Sequence, residues 1–520
     1  MKAFLMYKDR DFDPRQILSQ REKQRRPWET DESLNLQQLL PWNEKALTQD
    51  LGLDILINAM AHEDNFLFEV SKVAMMNEIT DIETILYRQG VLSDCFRHKQ
   101  IVRDLYKSIV EAIQLEKDNF WGIFGRNPSG ILYEAVKTLQ RFVVIMKKLR
   151  IVSDQNRETF ESEGFKRLFE MLRSELSDDY FAKIDEHLRL LKFNDGVLIS
   201  AQLGPGNKGS NYVLHKKPID TRSWLGRLLG QKLEGFTYQI HPRDEAGARA
   251  LSELRDQSIN LVANALAQST DHIINFFNAL RTELAFYIGC MNLYENLSEM
   301  QEPICFPVPF SSGNRKLAFS ELYDTSLALS FGRKVVANEL NADGKDLIVI
   351  TGPNTGGKST FMRSIGLAQI MMQAGMFVSA KEFSAEVRDG IATHFKREED
   401  TSMESGKLDE ELGRMSDIVD KINSKSMVLF NESFAATNER EGAGIAKQIT
   451  NSLVDRGVMV VFVTHNFEFA NSLFEKKMNN TVFSRAERLS DGTRTFRIIE
   501  GKPLITSYGE DLYNQIFENN

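Results

Sequence analysis

The 520-residue sequence predicts two architectures in series: a long helical region with a small β-rich insertion, then an α/β domain with a mainly parallel sheet. Three observations predict it. Apolar residues over 44–190 and 244–300 recur at three- and four-residue spacing, the period of a helix burying one face. Residues 191–243 break that period with the turn-rich Gly204-Pro205-Gly206 and Lys208-Gly209-Ser210. From 301 onward, continuous apolar runs alternate with helical stretches, as a sheet covered on both faces requires.

Composition narrows the class. Hydrophobic residues make up 42% and charged residues 26%, an ordinary soluble balance. No run approaches the roughly 20 apolar residues of a membrane span. Charges appear too early in MKAFLMYKDRDFD for a secretory signal, so the expected compartment is cytoplasmic. Cys95, Cys290 and Cys305 lack metal-ligand spacing and read as reduced, packed thiols. A net charge of −9 means that any surface for nucleic acid must be a local one.

Taken in order, residues 1–43 are charged and carry Arg21, Lys23, Arg25 and Arg26, either an arm on nucleic acid or, as the preferred reading, a solvated leader. Residues 44–190 are the first part of the helical core and lever. Leu139, Phe142, Met146 and Leu149 share one helical face, and turns are expected at Asn127-Pro128-Ser129-Gly130 and near Ser153-Asp154. In the 191–243 insertion, Val197-Leu198-Ile199 and Phe236-Thr237-Tyr238-Gln239-Ile240 read as strands. Eight Lys/Arg against three acids between Lys192 and Arg243 give a local charge of +5. Lys208, Lys216, Lys217, Arg222 and Arg227, with Trp224 among them, are the candidate phosphate contacts, the alternative being a plain β insert with solvated lysines. Residues 244–300 contain no proline and only Gly247 and Gly289, with Leu251, Leu254, Leu261 and Ala265 at helical spacing. One unbroken helix there would be roughly 85 Å long. That helix, or a kinked pair, would be a lever with the basic module at its tip.

Residues 301–520 hold the chemistry. The apolar run Leu347-Ile348-Val349-Ile350 leads into Thr351-Gly352-Pro353-Asn354-Thr355-Gly356-Gly357-Lys358-Ser359-Thr360, which satisfies G-x-x-x-x-G-K-[ST] between a strand and a helix. Glycines let backbone N–H groups turn onto phosphates, and a helix N-terminus adds positive potential. Lys358 is the candidate for the β- and γ-phosphates of ATP and Ser359 for Mg²⁺. The helix is expected from about Lys358 to Ala374, stopping at Gly375. A second buried strand, Ser426-Met427-Val428-Leu429-Phe430-Asn431-Glu432, ends in a polar pair: Asn431 where such ATPases carry an Mg²⁺-binding aspartate, and Glu432 as candidate base. A third, Val458-Met459-Val460-Val461-Phe462-Val463, ends at Thr464-His465, on the ligand edge of such a sheet.

These motifs resemble the MutS family. Thr351 to Thr360 is similar to TGPNMGGKST, differing at Thr355. Val336-Ala337-Asn338-Glu339-Leu340-Asn341 resembles the nucleotide-side segment before the P-loop, Phe377-Val378-Ser379-Ala380 the F-V-P-A stretch, and Thr464-His465-Asn466-Phe467-Glu468 the T-H-Y-F-E switch. Gly501 through Ser507-Tyr508-Gly509 resembles the strand-rich end that follows. The likeness is strong over about 335–509 and architectural over 44–334, with 191–243 standing where the DNA clamp belongs.

The resemblance implies an ABC-type, MutS-like P-loop ATPase domain that binds ATP and Mg²⁺, contacts nucleotide also through Asn338, and dimerises through the ATPase domains. Each site is then completed by a partner serine, Ser405 by spacing or Ser402. It implies an ATP-controlled clamp on mismatched, branched or otherwise non-standard DNA in repair, without a membrane. The departures are Asn431 for aspartate, Val335 where an aromatic would stack on adenine, and no mismatch-reading or connector domain ahead of the helices. Two other readings stay open: ATP-dependent remodelling of RNA or ribosomes, and a nucleotide-binding scaffold with little turnover.

Overall fold

The structure is a computed structural model that describes residues 1–12, 40–77, 79–120, 127–193, 196–207, 209–216, 238–397, 406–490 and 492–504. The chain divides into two compact units. One comprises Met1–Ala3, Asp104–Thr159 and Arg167–Arg281; the other comprises Phe4–Arg103, Phe160–Lys166 and Thr282–Asn520.

Helices come first: α1 (Glu44–Leu51), α2 (Leu53–Ala61), α3 (Asn65–Met76), α4 (Ile82–Arg97), α5 (Lys99–Phe120), α6 (Pro128–Asn156), α7 (Glu163–Glu175) and α8 (Asp178–Leu190). Asp64 and Asp81 cap α3 and α4 by accepting the N–H of Leu67 and Thr84. Asn127-Pro128-Ser129-Gly130 opens α6. The Asn127 side chain accepts from Gly130 N at 2.8 Å, and Pro128 sits in the first turn, where its missing N–H is no loss. The turn expected near Ser153-Asp154 comes slightly later, with the helix running on to Asn156 and the turn at 157–159. Ser153 returns its hydroxyl to Arg150 O and Asp154 takes Arg150 Nε, each at 2.8 Å, so both side chains are satisfied within the helix. Leu139, Phe142, Met146 and Leu149 are buried on one face, as their spacing requires.

In the insertion, β1 (Leu198–Leu203) pairs antiparallel with β2 (Gly209–His215) through a turn at Pro205–Asn207. The strand expected over Phe236 to Ile240 is not seen: residues 238–240 are irregular, and Phe236 and Thr237 lie outside the described residues. The glycine-rich turn gives β1 an adjacent partner, so no distant strand is needed.

A single helix, α9 (Glu245–Glu299), covers 55 residues, about 80 Å. The boundary between the units, Arg281/Thr282, falls within it. Leu251, Leu254, Leu261 and Ala265 face solvent; the buried stripe is Ile259, Ala263, Ile273, Phe276, Phe277 and Leu280. Both stripes have helical period, and the aromatic one removes more apolar area from water. Phe277 meets Phe142 of α6 edge-on at 5.2 Å.

Residues 4–12 are not a solvated leader. Leu5, Met6 and Phe12 are buried, and Glu283 of α9 accepts their N–H groups at 2.6, 3.0 and 2.6 Å. Tyr287 Oη donates to Leu5 O at 2.6 Å and Arg88 Nε to Met6 O at 3.1 Å. Buried irregular backbone needs partners for its N–H and C=O groups, and here side chains supply them. Arg21, Lys23, Arg25 and Arg26 lie outside the described residues.

The α/β region runs β3 (Val308–Phe310), β4 (Leu317–Leu322), α10 (Thr325–Phe331), β5 (Asn338–Asn341), β6 (Leu347–Thr351), α11 (Lys358–Gln373), β7 (Glu382–Glu386), β8 (Ile391–Phe395), α12 (Lys407–Lys421), β9 (Met427–Asn431), α13 (Glu439–Asp455), β10 (Met459–Val463), α14 (Phe467–Phe474), β11 (Thr481–Arg488) and β12 (Arg494–Glu500). The main sheet has the order β12-β11-β6-β10-β9-β8 and is parallel throughout except for β12. The three apolar runs read from the sequence are its β6, β9 and β10. Val349, Val428, Phe430, Val460 and Phe462 carry its core against α13 and α14. A second sheet, β3-β7-β4-β5, is mostly antiparallel and was not anticipated from the sequence.

Candidate nucleotide-binding site

Strands β6, β10 and β9 are consecutive neighbours and parallel, with Ile350 beside Val463 and Val463 beside Asn431. Their C-terminal ends therefore open on one edge. That edge brings together the loop after β6, the Asn431-Glu432 pair after β9 and Thr464-His465 after β10.

The loop from Gly352 to Gly357 needs its glycines where they stand. Gly352 has φ +116, and a Cβ there would lie 2.9 Å from Ala486 N; Gly357 has φ +88, with Phe496 O 3.1 Å from the same point. A side chain would meet both strain and backbone. Thr355 takes positive φ (56°) without being glycine, and its hydroxyl bonds Asn354 O at 2.6 Å. Helix α11 then starts at Lys358 and is capped at Ala374, with Gly375 left-handed beyond it.

Lys358 is buried. Its Nζ donates to Gly352 O at 2.9 Å and Pro353 O at 3.0 Å, and stands 3.9 Å from Glu432 Oε1. Burial pushes its pKa below the usual lysine value, against the pull of Glu432. Ser359 Oγ donates to Asn431 Oδ1 at 2.8 Å, so the two oxygens expected at Mg²⁺ are adjacent. Glu432 sits at φ 54, held by its own N–H to Val463 O at 2.9 Å. Its Oε2 accepts from His465 N at 3.0 Å and lies 2.5 Å from His465 Nδ1. That hydrogen bond raises the His465 pKa above the ordinary histidine value, with burial opposing. A cavity of about 280 Å³ opens beside this pair, lined also by Ser433, Thr437, Thr464 and Asn466. It is roomy and polar enough for water.

Other expected residues are placed differently. Asn338, at the start of β5, accepts the N–H of Ile498 of β12 on its Oδ1 at 2.6 Å, and the Phe496 carbonyl of the same strand lies against Gly357. Val335 is tied by its N–H to Glu302 Oε1 at 2.7 Å. Lys216, just past β2, is exposed and paired with Glu186 at 3.0 Å. Lys208, Lys217, Arg222, Arg227, Ser402 and Ser405 lie outside the described residues. Sequence reasoning missed His394 and Ser433, which contact one another directly beside Glu432. They are 39 residues apart and belong to no motif, so no local pattern could pair them.

Residues 80–300 match the family described as MutS2 N-terminal domain, and residues 348–515 match MutS domain V. The chain is 37% identical over 184 residues to the DNA mismatch repair protein MutS of Thermotoga neapolitana, covering 35% of this chain and 23% of that one. It is 32% identical over 143 residues to MutS protein homolog 4 of Mus musculus (28% and 15%), and 29% identical over 263 residues to the MutS of Streptococcus agalactiae (49% and 30%). The matches thus span less than a third of each of these relatives.

Proposed function

We propose, from the premise that this chain belongs to the MutS family, that it binds and hydrolyses ATP to control a clamp on mismatched, branched or otherwise non-standard DNA. The observation that carries this reading is the convergence of Lys358, Ser359, Asn431, Glu432 and His465 on one sheet edge within 2.5–3.9 Å contacts. The loop N–H groups and the start of α11 cradle the phosphates. The Lys358 ammonium exchanges its two carbonyl partners for phosphate oxygens. Ser359 and Asn431 are oxygen donors that suit a hard divalent cation, and would hold Mg²⁺, which neutralises phosphate charge when bound. Glu432 takes a proton from the attacking water as its oxygen bonds the γ-phosphorus and the bond to the β-phosphate oxygen breaks, releasing ADP. His465 fixes the carboxylate through two hydrogen bonds. A homodimer through the ATPase domains would supply the partner serine, Ser405 or Ser402.

Asn431 favours a second reading, a nucleotide-binding scaffold with little turnover. One experiment separates the alternatives: ATP hydrolysis by the full chain, alone and with duplex, mismatched, branched and single-stranded DNA and structured RNA, beside Lys358→Ala and Glu432→Ala. Stimulation by one DNA form, lost in both variants, is expected. Stimulation by RNA alone moves the assignment to RNA remodelling, and ATP binding without turnover moves it to the scaffold.

A further inference from the structure

We propose that His394 is a positioning residue for Glu432, fastening the turn that carries this carboxylate to the backbone of α12. The inference rests on the reading of Glu432 as the base. His394 lies in β8 beside Phe430 of β9 and is fully buried. Its Nε2 is 3.0 Å from Glu411 O in α12, and its Nδ1 is 2.8 Å from the hydroxyl of Ser433, the residue after Glu432. A carbonyl can only accept, so Nε2 carries the proton and donates to Glu411 O. Ser433 Oγ also lies 2.5 Å from His394 O. Burial pushes the ring pKa down to about 4, so the ring is neutral at pH 7 and Nδ1 is an acceptor. The single Ser433 hydroxyl hydrogen is then shared between Nδ1 and the carbonyl of the same histidine. The imidazole also stacks on Phe434, with centroids 5.1 Å apart and planes at 20°.

One residue therefore grips the two positions that follow Glu432. The grip matters because Glu432 and Phe434 both hold positive φ, 54° and 61°. Non-glycine residues stay in that region only when their surroundings enforce it. Glu432 is secured on the β10 side by Val463 O and His465; His394 secures the chain beyond it and links it to α12, which begins at Lys407. A base displaced by a fraction of an ångström from its water loses much of its effect.

The test uses the full chain as His394→Phe, Ser433→Ala, the double variant and Glu432→Gln. Turnover, affinity for a non-hydrolysable ATP analogue and hydrogen exchange of the Glu432 amide are measured for each. Ser433→Ala removes a single oxygen and so guards against a His394→Phe protein that fails to fold. Expected are a fall of about tenfold in kcat for either single variant, no further fall in the double, unchanged analogue affinity and faster exchange at Glu432. Unchanged kcat in Ser433→Ala, or losses that add in the double variant, overturns the proposal. If the wild-type chain has no turnover, exchange decides, and an unaltered Glu432 amide in Ser433→Ala overturns it equally. Wild-type turnover in Glu432→Gln is a separate result: it removes the base assignment itself.

Discussion

Asn431 offers the Ser359 hydroxyl a carbonyl oxygen at 2.8 Å but brings no negative charge. A carboxylate at that position would attract a divalent cation more strongly, even at an effective dielectric near 20. Asn431→Asp is therefore expected to lower the Mg²⁺ concentration for half-maximal ATP hydrolysis by roughly tenfold, ~1.4 kcal/mol. A titration with an unmoved midpoint would place the cation away from residue 431. The partner pair is sensitive to pH. His465 has its pKa raised by the hydrogen bond to Glu432. Its folded pKa thus exceeds the unfolded value of about 6.5, so the pair contributes fully below that pH and is lost as pH rises through the raised value. With the imidazole half exposed, the effect is small. Thermal melts should show a wild-type advantage over His465→Gln at pH 6 that disappears by pH 9, and a constant difference would argue against protonation-dependent pairing.

At the scale of elements, the contact between α9 and residues 4–12 carries a distinct prediction. Burial raises the Glu283 pKa from 4.5 to about 7, although the N–H groups of Phe12, Leu5 and Met6 oppose the shift. Because the folded pKa is the higher one, the favourable contribution is complete below about 4.5 and is lost as pH rises through about 7. Glu283→Ala leaves three buried N–H groups unpaired and should destabilise the chain by about 3 kcal/mol at pH 5, and by less at pH 8. Denaturant unfolding at the two pH values checks this; equal losses would mean that the carboxyl titrates normally. The same contact explains what the sequence left hidden. β6, β9 and β10 were legible because a strand buried on both faces must be apolar without interruption, and the loop to Lys358 because phosphate chemistry dictates its spacing. Residues 4–12 were not, since Lys8, Asp9, Arg10 and Asp11 read as solvated while their neighbours' partners lie more than 270 positions away. The Leu251 stripe marked the helix but not its buried side, because periodicity finds a helix without choosing the face that packs. His394 was invisible because its role comes from strand register and not from local pattern.

For the whole molecule, the proposed function requires ATP at one place to alter the hold on DNA at another. Helix α9 is a continuous covalent path: it follows the basic 191–243 insertion, and its residues from Thr282 onward belong to the unit that contains Lys358. Its backbone hydrogen bonds run from residue to residue across the boundary at Arg281/Thr282, which makes it the route to test. Gln268 is exposed within it, which makes it a place to break the helix without opening the core. Proline there removes one backbone hydrogen bond and clashes with the preceding turn, at a cost of about 3 kcal/mol. Gln268→Pro should hydrolyse ATP at its unstimulated rate and still bind DNA. The change in DNA affinity on adding an ATP analogue should be lost, whereas Gln268→Ala, which keeps the helix, should retain it. Binding isotherms with and without the analogue, at one fixed salt concentration because phosphate contacts depend steeply on salt, measure that difference. If the affinity of Gln268→Pro still responds to nucleotide, the signal travels by the helices of residues 99–190 and α9 is only a spacer.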